Sequence, residues 1–152
     1  MKSSPLQLKN YFVTSLTFTA NKGFDLNKPI NVQFEDLQVA PSFLMQGDNS
    51  RHWEVTLLVK HQPARQDANT PYYFTIEMVG FFGVANEYPA EKTEWLVKTN
   101  ATSVLFSTVR EIVRAITAQG PYGAIMLPTA SFYDSKPQDA PAHVVEKVAA
   151  KN

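Results

Sequence analysis

Catalysis in this chain would have to be assembled from few parts. Its histidines are His52, His61 and His143, and it contains no cysteine. The missing thiol removes disulfides, thiolate metal sites and a cysteine nucleophile. No two histidines have the HExxH spacing that puts a pair of imidazoles on one helix face around zinc. His52 and His61 lie nine residues apart, on opposite parities of one alternating segment, and both are read as surface histidines at strand ends. No GxSxG elbow is present to expose a serine nucleophile. Gly80 and Gly83 complete neither GxGxxG nor a phosphate-binding loop. Glu35 and Asp36 are adjacent, so extended backbone sends them to opposite faces, and they cannot share acid–base work unless a bulge realigns them. Arg110, Glu111 and Arg114 are read as a solvated helix face or an interface rim, with Glu111 and Arg114 spaced to pair weakly. No catalytic residue, metal or cofactor is assigned.

Bulk properties limit the partners. Fourteen basic residues balance fourteen acidic ones, and the pI is near 6.8. Net charge therefore gives no long-range attraction for nucleic acid or an anionic membrane. The opening MKSSPLQLKN has no apolar signal-peptide core, and no apolar run approaches the roughly 20 residues of a membrane span. A cytoplasmic protein without membrane insertion is expected. The 152 residues suit one domain, placed at 1–134, with a Pro-containing flexible tail over 135–152 that can close in a short helix near 143–151. Ten Phe, six Tyr and two Trp suggest either a rich core or an adhesive surface.

The elements that must position these aromatics follow from periodicity. Leu6, Leu8, Phe12, Leu16 and Phe18 share a parity, which predicts a half-buried strand over 6–18. Asn21–Gly23 signals a turn. A second strand is expected from Ile30, with a parity change at Glu35–Asp36 explained by a bulge and pairing ended by Pro41. Trp53, Val55, Leu57 and Val59 form one face of a third strand over 52–62, and a fourth strand covers 72–84. Leu105, Val109, Ile112, Val113 and Ile116 recur at helical spacing and predict a long helix over Ser103–Gln119. Asn100, Thr102 and Ser103 are its expected caps, a short helical turn at 94–97 precedes it, and Gly120–Pro121 marks its end. The fold class is α+β: a four-stranded antiparallel meander with a long helix from the C-terminal half packed on it.

The order of these elements and several local strings resemble the SecB export-chaperone family. LQLKNYFVTSLTF resembles its first strand and YYFTIEMVGFFGV its fourth. ATSVLFSTVREIVRAITAQGPYGAIMLPTASF resembles its main helix and following loop. The resemblance implies a homotetramer, a dimer of dimers with main helices between two sheets. It also implies apolar grooves that hold unfolded client polypeptides without nucleotide. The family's export members carry acidic residues on the first strand to dock the translocation motor SecA; here Ser15 and Thr19 stand there, while Glu77 matches a motor-contact position. Pro137 and Pro141 interrupt the region of the family's second helix. SecB-like chaperones dedicated to a toxin–antitoxin pair fit a chain with weakened motor contacts.

Client contacts are expected from Phe24, Phe43, Met45, Tyr122, Met126, Leu127, Phe132 and Tyr133, apolar residues in segments without strand or helix periodicity. Val109, Ile112, Val113 and Ile116 are expected at the oligomer interface, with Val104, Leu105 and Phe106 widening the apolar stripe to a second face. Two other readings remain open. One is a small-ligand carrier or enzyme with Phe12, Trp53, Tyr72 and Phe74 around a closed cavity. The other is a subunit of a larger assembly with the aromatics as interface.

Overall fold

A computed structural model of the protein describes residues 2–48, 50–65, 67–133 and 146–148. Four antiparallel strands lie against one long helix. They are β1 (Leu6–Ala20), β2 (Leu37–Gln46), β3 (His52–His61) and β4 (Tyr72–Val84), and the helix is α1 (Thr93–Thr117). The order across the sheet corrects the simple meander. It runs β1-β4-β3-β2, so β2, β3 and β4 follow one another while β1 lies beside β4, a Greek-key order. Residues 21–36 consequently carry the chain from one side of the sheet to the other. In the expected terminal helix, Glu146–Val148 instead form a short strand, β5, paired parallel to Leu44–Gln46 of β2. The rest of the expected flexible tail, with Pro137, Pro141 and His143, lies outside the described residues.

The second strand starts later than its apolar pattern suggests. Phe34–Asp36 is a 3-10 turn, closed as the Asp36 carboxylate accepts the Gln33 N–H at 3.2 Å. No bulge is needed for the parity change, because the strand begins after it. Pairing also continues through Pro41, opposite Leu57; a proline is tolerated where its nitrogen owes no ladder bond.

Helix α1 begins ten residues before Ser103 and absorbs the 94–97 turn. The expected caps are interior residues. Asn100 Nδ2, Thr102 Oγ1 and Ser103 Oγ donate to the carbonyls of Leu96, Lys98 and Thr99 at 3.0, 3.3 and 3.3 Å, the i−4 bonding open to short polar side chains inside a helix. Leu105, Val109 and Val113 of α1 join Leu57, Val59, Ile76 and Met78 of the sheet in one core. Gly80 makes the approach close: a Cβ there would sit 2.7 Å from Leu105 Cδ2. No helix among the described residues is long and apolar enough to cross a membrane.

Candidate functional site

The chain leaving α1 returns along it. Thr117 Oγ1 accepts the Ile125 N–H at 3.0 Å, Arg110 Nε donates to the Leu127 carbonyl at 3.0 Å, and the Phe132 ring sits edge-on to Phe106 at 5.4 Å. Tyr133 then reaches Trp95 near the helix start, with centroids 6.1 Å apart. The connection from β1 to β2 touches the same region from two points. Phe24 packs on Tyr122 at 5.0 Å, and Phe34 meets Phe106 edge-on at 6.4 Å. Two irregular segments, 21–36 and 118–133, thus attach to the helix through aromatic rings. The contacts form one cluster of Phe18, Tyr72, Tyr122 and Phe24, and a second of Phe34, Phe106 and Phe132.

Exposure sorts the expected client residues. Met126 and Tyr133 are 53% and 61% exposed. Phe24, Met45, Tyr122 and Phe132 are half-buried. Phe43 and Leu127 are corrections: both are core residues, at 6% and 1% exposure. Phe43 sits in β2 rather than a loop, and Leu127 faces inward beneath the Arg110 bond. Sequence reasoning missed Leu26, Ile30, Phe34 and Trp95, all apolar and exposed. Ile30 and Phe34 fall in the expected second strand, whose buried face they would line, and Trp95 in the expected short helical turn. The one available signal was the excess of large apolar residues in a connection too long for a hairpin.

The helix stripe divides in two. Val109 and Val113 are fully buried against the chain's own sheet, which removes them from any surface a second copy could meet. Ile112 and Ile116 are half-buried and Val104 is exposed. On β1, Tyr11, Val13 and Leu16 are exposed although they pair with Gly80, Met78 and Ile76, residues on the helix side of the sheet. Glu77 lies on the opposite side, with Ser15 directly across from it, and its Oε1 accepts the Thr14 hydroxyl at 2.6 Å. The enclosed-cavity arrangement is not found. Trp53, Tyr72 and Phe74 are packed in the core, while Phe12 pairs with Val79 on the other face and is exposed.

The titratable groups cluster away from these aromatics. His61 is fully buried, not a surface residue, and Nε2 lies 2.8 Å from Thr70 Oγ1. Burial lowers its pKa, with Asp36 opposing. Arg65 holds Asp36 through two bonds of 2.7 Å and, as the largest cause, lowers its pKa. This arrangement ties the loop after β3 to the turn before β2. Among the described residues no group of three or more acidic or histidine side chains is placed to hold a metal ion.

Comparison with known proteins gives the following similarities. Residues 2–136 match the family described as preprotein translocase subunit SecB. An uncharacterized protein of Methanocaldococcus jannaschii is 24% identical over 124 residues, 81% of this chain and 77% of the relative. A SecB-like chaperone of Mycobacterium tuberculosis, solved in complex with a ChAD peptide from the HigA1 antitoxin, has the same fold. Its TM-score is 0.62 at 14% identity, over 84% of this chain and 91% of that one.

Proposed function

The chain belongs to the SecB family of chaperones, and from that premise we propose that it is a nucleotide-independent holdase for unfolded polypeptides. The observation that carries this reading is the pair of irregular segments packed along α1, which expose Leu26, Ile30, Met126 and Tyr133, the last against the exposed Trp95 of the helix. Unfolded clients share no side-chain code. A surface of aromatic, aliphatic and methionine groups binds them through area, and Met126 adapts its shape to each. Each side chain covered by a client contributes roughly 1.5–3 kcal/mol. Three or four together contribute roughly 4.5–12 kcal/mol, from which the cost of association and of ordering the client is subtracted.

The client is a disordered segment of an exported protein or of a dedicated partner such as an antitoxin. The antitoxin peptide bound by the mycobacterial SecB-like chaperone supports the second class. Docking to SecA is proposed to be weak. Glu77 is the candidate contact, but its neighbour across the strands is the neutral Ser15, and the formal net charge of zero gives no steering. A tight, salt-sensitive complex with SecA would restore a general export role.

The reading is tested by suppression of aggregation of a chemically unfolded protein without nucleotide. Trp95→Ser, Met126→Ser and Tyr133→Ser combined are expected to weaken client binding by about tenfold or more. These positions are exposed, so the fold should persist. Unchanged affinity in the folded triple variant would count against the surface.

A further inference from the structure

The connection from β1 to β2 contains no regular element apart from the turn at Phe34–Asp36, yet it is fixed along its length by the loop between β3 and β4. Asn69 is the centre of that attachment. Its Oδ1 accepts the Asp25 N–H at 3.0 Å. Its Nδ2 lies 3.0, 3.2 and 3.2 Å from the carbonyls of Asp25, Lys28 and Pro29, so two amide hydrogens are shared among three acceptors. Its main-chain carbonyl accepts the Asn31 N–H at 3.1 Å. The same loop closes both ends of the connection. Asn21 Nδ2 donates to the Thr70 carbonyl at 2.7 Å, and Arg65 grips Asp36.

The placement of these bonds is what ties them to the surface. Leu26 lies between the anchored residues Asp25 and Lys28, and Ile30 lies between the anchored Pro29 and Asn31. Both are exposed, Leu26 at 75%. The main chain is bonded to Asn69 on one side, and two large apolar side chains are left in water. A free connection of this length would fold those side chains onto any apolar surface within reach. Phe24, just before the anchored stretch, packs on Tyr122 of the second segment, so the anchored stretch continues the aromatic surface described above.

We infer that Asn69 is a positioning residue for client binding, holding Leu26 and Ile30 out as a preformed apolar wall. The inference rests on the holdase reading and names how one part of that site is kept ready. A preformed wall spares the client the ordering of the connection, so losing the clamp weakens binding without removing a contact atom.

The test uses the full chain and a reduced, carboxymethylated protein that stays unfolded in native buffer. Three variants are titrated: Asn69→Ala, Leu26→Ser with Ile30→Ser, and all three changes together. Asn69→Ala and the Leu26/Ile30 pair are each expected to lower affinity by about tenfold. Combined, they should lower it no further than the pair alone, because Asn69 acts through those two side chains. Molar mass in solution stays that of the parent, and limited proteolysis of Asn69→Ala increases within 21–36. Additive losses, or unchanged affinity alongside increased proteolysis, would overturn the inference by showing that the clamp serves the fold alone. Should Asn69→Ala fail to fold, the exposed Leu26/Ile30 pair still decides, since full affinity there removes the wall. A parent chain that does not bind the unfolded probe would overturn the holdase reading and this inference with it; a parent that binds, with any of the contrary outcomes above, overturns only the inference.

Discussion

At the scale of single residues, His61 is buried against the surface reading of its sequence, although its position is legible there. It continues the parity of Trp53, Val55, Leu57 and Val59, all buried, and the alternation should have outweighed the general preference of histidine for the surface. Its partner was not legible, because Thr70 lies across a loop. The Thr70 hydroxyl donates to the Tyr72 carbonyl at 3.1 Å. It must therefore accept from His61 Nε2–H, which leaves Nδ1 buried without a hydrogen-bond partner among the described residues. Burial depresses the folded-state pKa below the ordinary 6.5, so the unfolded chain takes up this proton first. Stability is then full above 6.5 and falls as pH drops from there toward the folded value, by at most about 1.4 kcal/mol per pH unit for one proton. Asp36 acts in a lower window. Its pKa is held below 3.8, chiefly by Arg65, so its contribution is present above 3.8 and is lost as pH falls further. Urea unfolding as a function of pH should show both losses. His61→Leu should flatten the first and leave the second. A profile unchanged by His61→Leu would show that another group titrates.

At the scale of elements, α1 shows why sequence cues located the helix but not its ends. Five aliphatic residues at helical spacing fixed its middle. Its start carries no side-chain cap hydrogen bond, and the residues that best resemble caps turned inward to bond the preceding turn. Its end depends on Gly120, for a reason the sequence could not reveal. The glycine has no positive φ; it is small because a Cβ would lie 2.6 Å from the Tyr72 ring. The Tyr72 hydroxyl in turn accepts the Tyr122 N–H at 2.9 Å and lies 3.2 and 3.0 Å from the carbonyls of Thr117 and Gly123. Gly120→Ala is therefore expected to destabilise the fold by roughly 1–3 kcal/mol through crowding, and Tyr72→Phe by about 1–3 kcal/mol through an unsatisfied Tyr122 N–H. Both are read from thermal or urea unfolding, and a neutral Gly120→Ala would mean that the ring moves freely. The helix start gives a further check. Trp53 is 2% exposed and Trp95 is 40% exposed, so a client covering Trp95 should shift tryptophan emission to shorter wavelength, and Trp95→Phe should abolish the shift. A shift that persists in Trp95→Phe would place the client elsewhere.

At the scale of the whole molecule, the sequence revealed a helix with too much apolar surface for one neighbour, but not which residues faced which neighbour. That division depends on the rotation of α1 over the sheet. Close approach at Gly80 turns Leu105, Val109 and Val113 inward and leaves Ile112, Ile116 and Val104 uncovered or partly so. The strand order adds what periodicity could not. By lying at the edge beside β4, β1 leaves Tyr11, Val13 and Leu16 exposed on the helix side. An edge strand with apolar side chains and open backbone groups is an assembly or aggregation surface unless it is covered. Two uncovered apolar areas on one chain fit an assembly with two kinds of contact, which a dimer of dimers has. We therefore expect a particle of four chains of 17.0 kDa each, measured by sedimentation or light scattering. Ile112→Asp with Ile116→Asp should lower the molar mass while circular dichroism keeps its helical signal, since a monomer can hydrate both positions. Val109→Asp should instead unfold the chain, because it buries an unpaired charge in the core. If Ile112→Asp with Ile116→Asp keeps the full mass, the contact lies on another face; if the parent chain is a monomer at about micromolar concentration, no tetramer exists and the exposed β1 residues need a different cover.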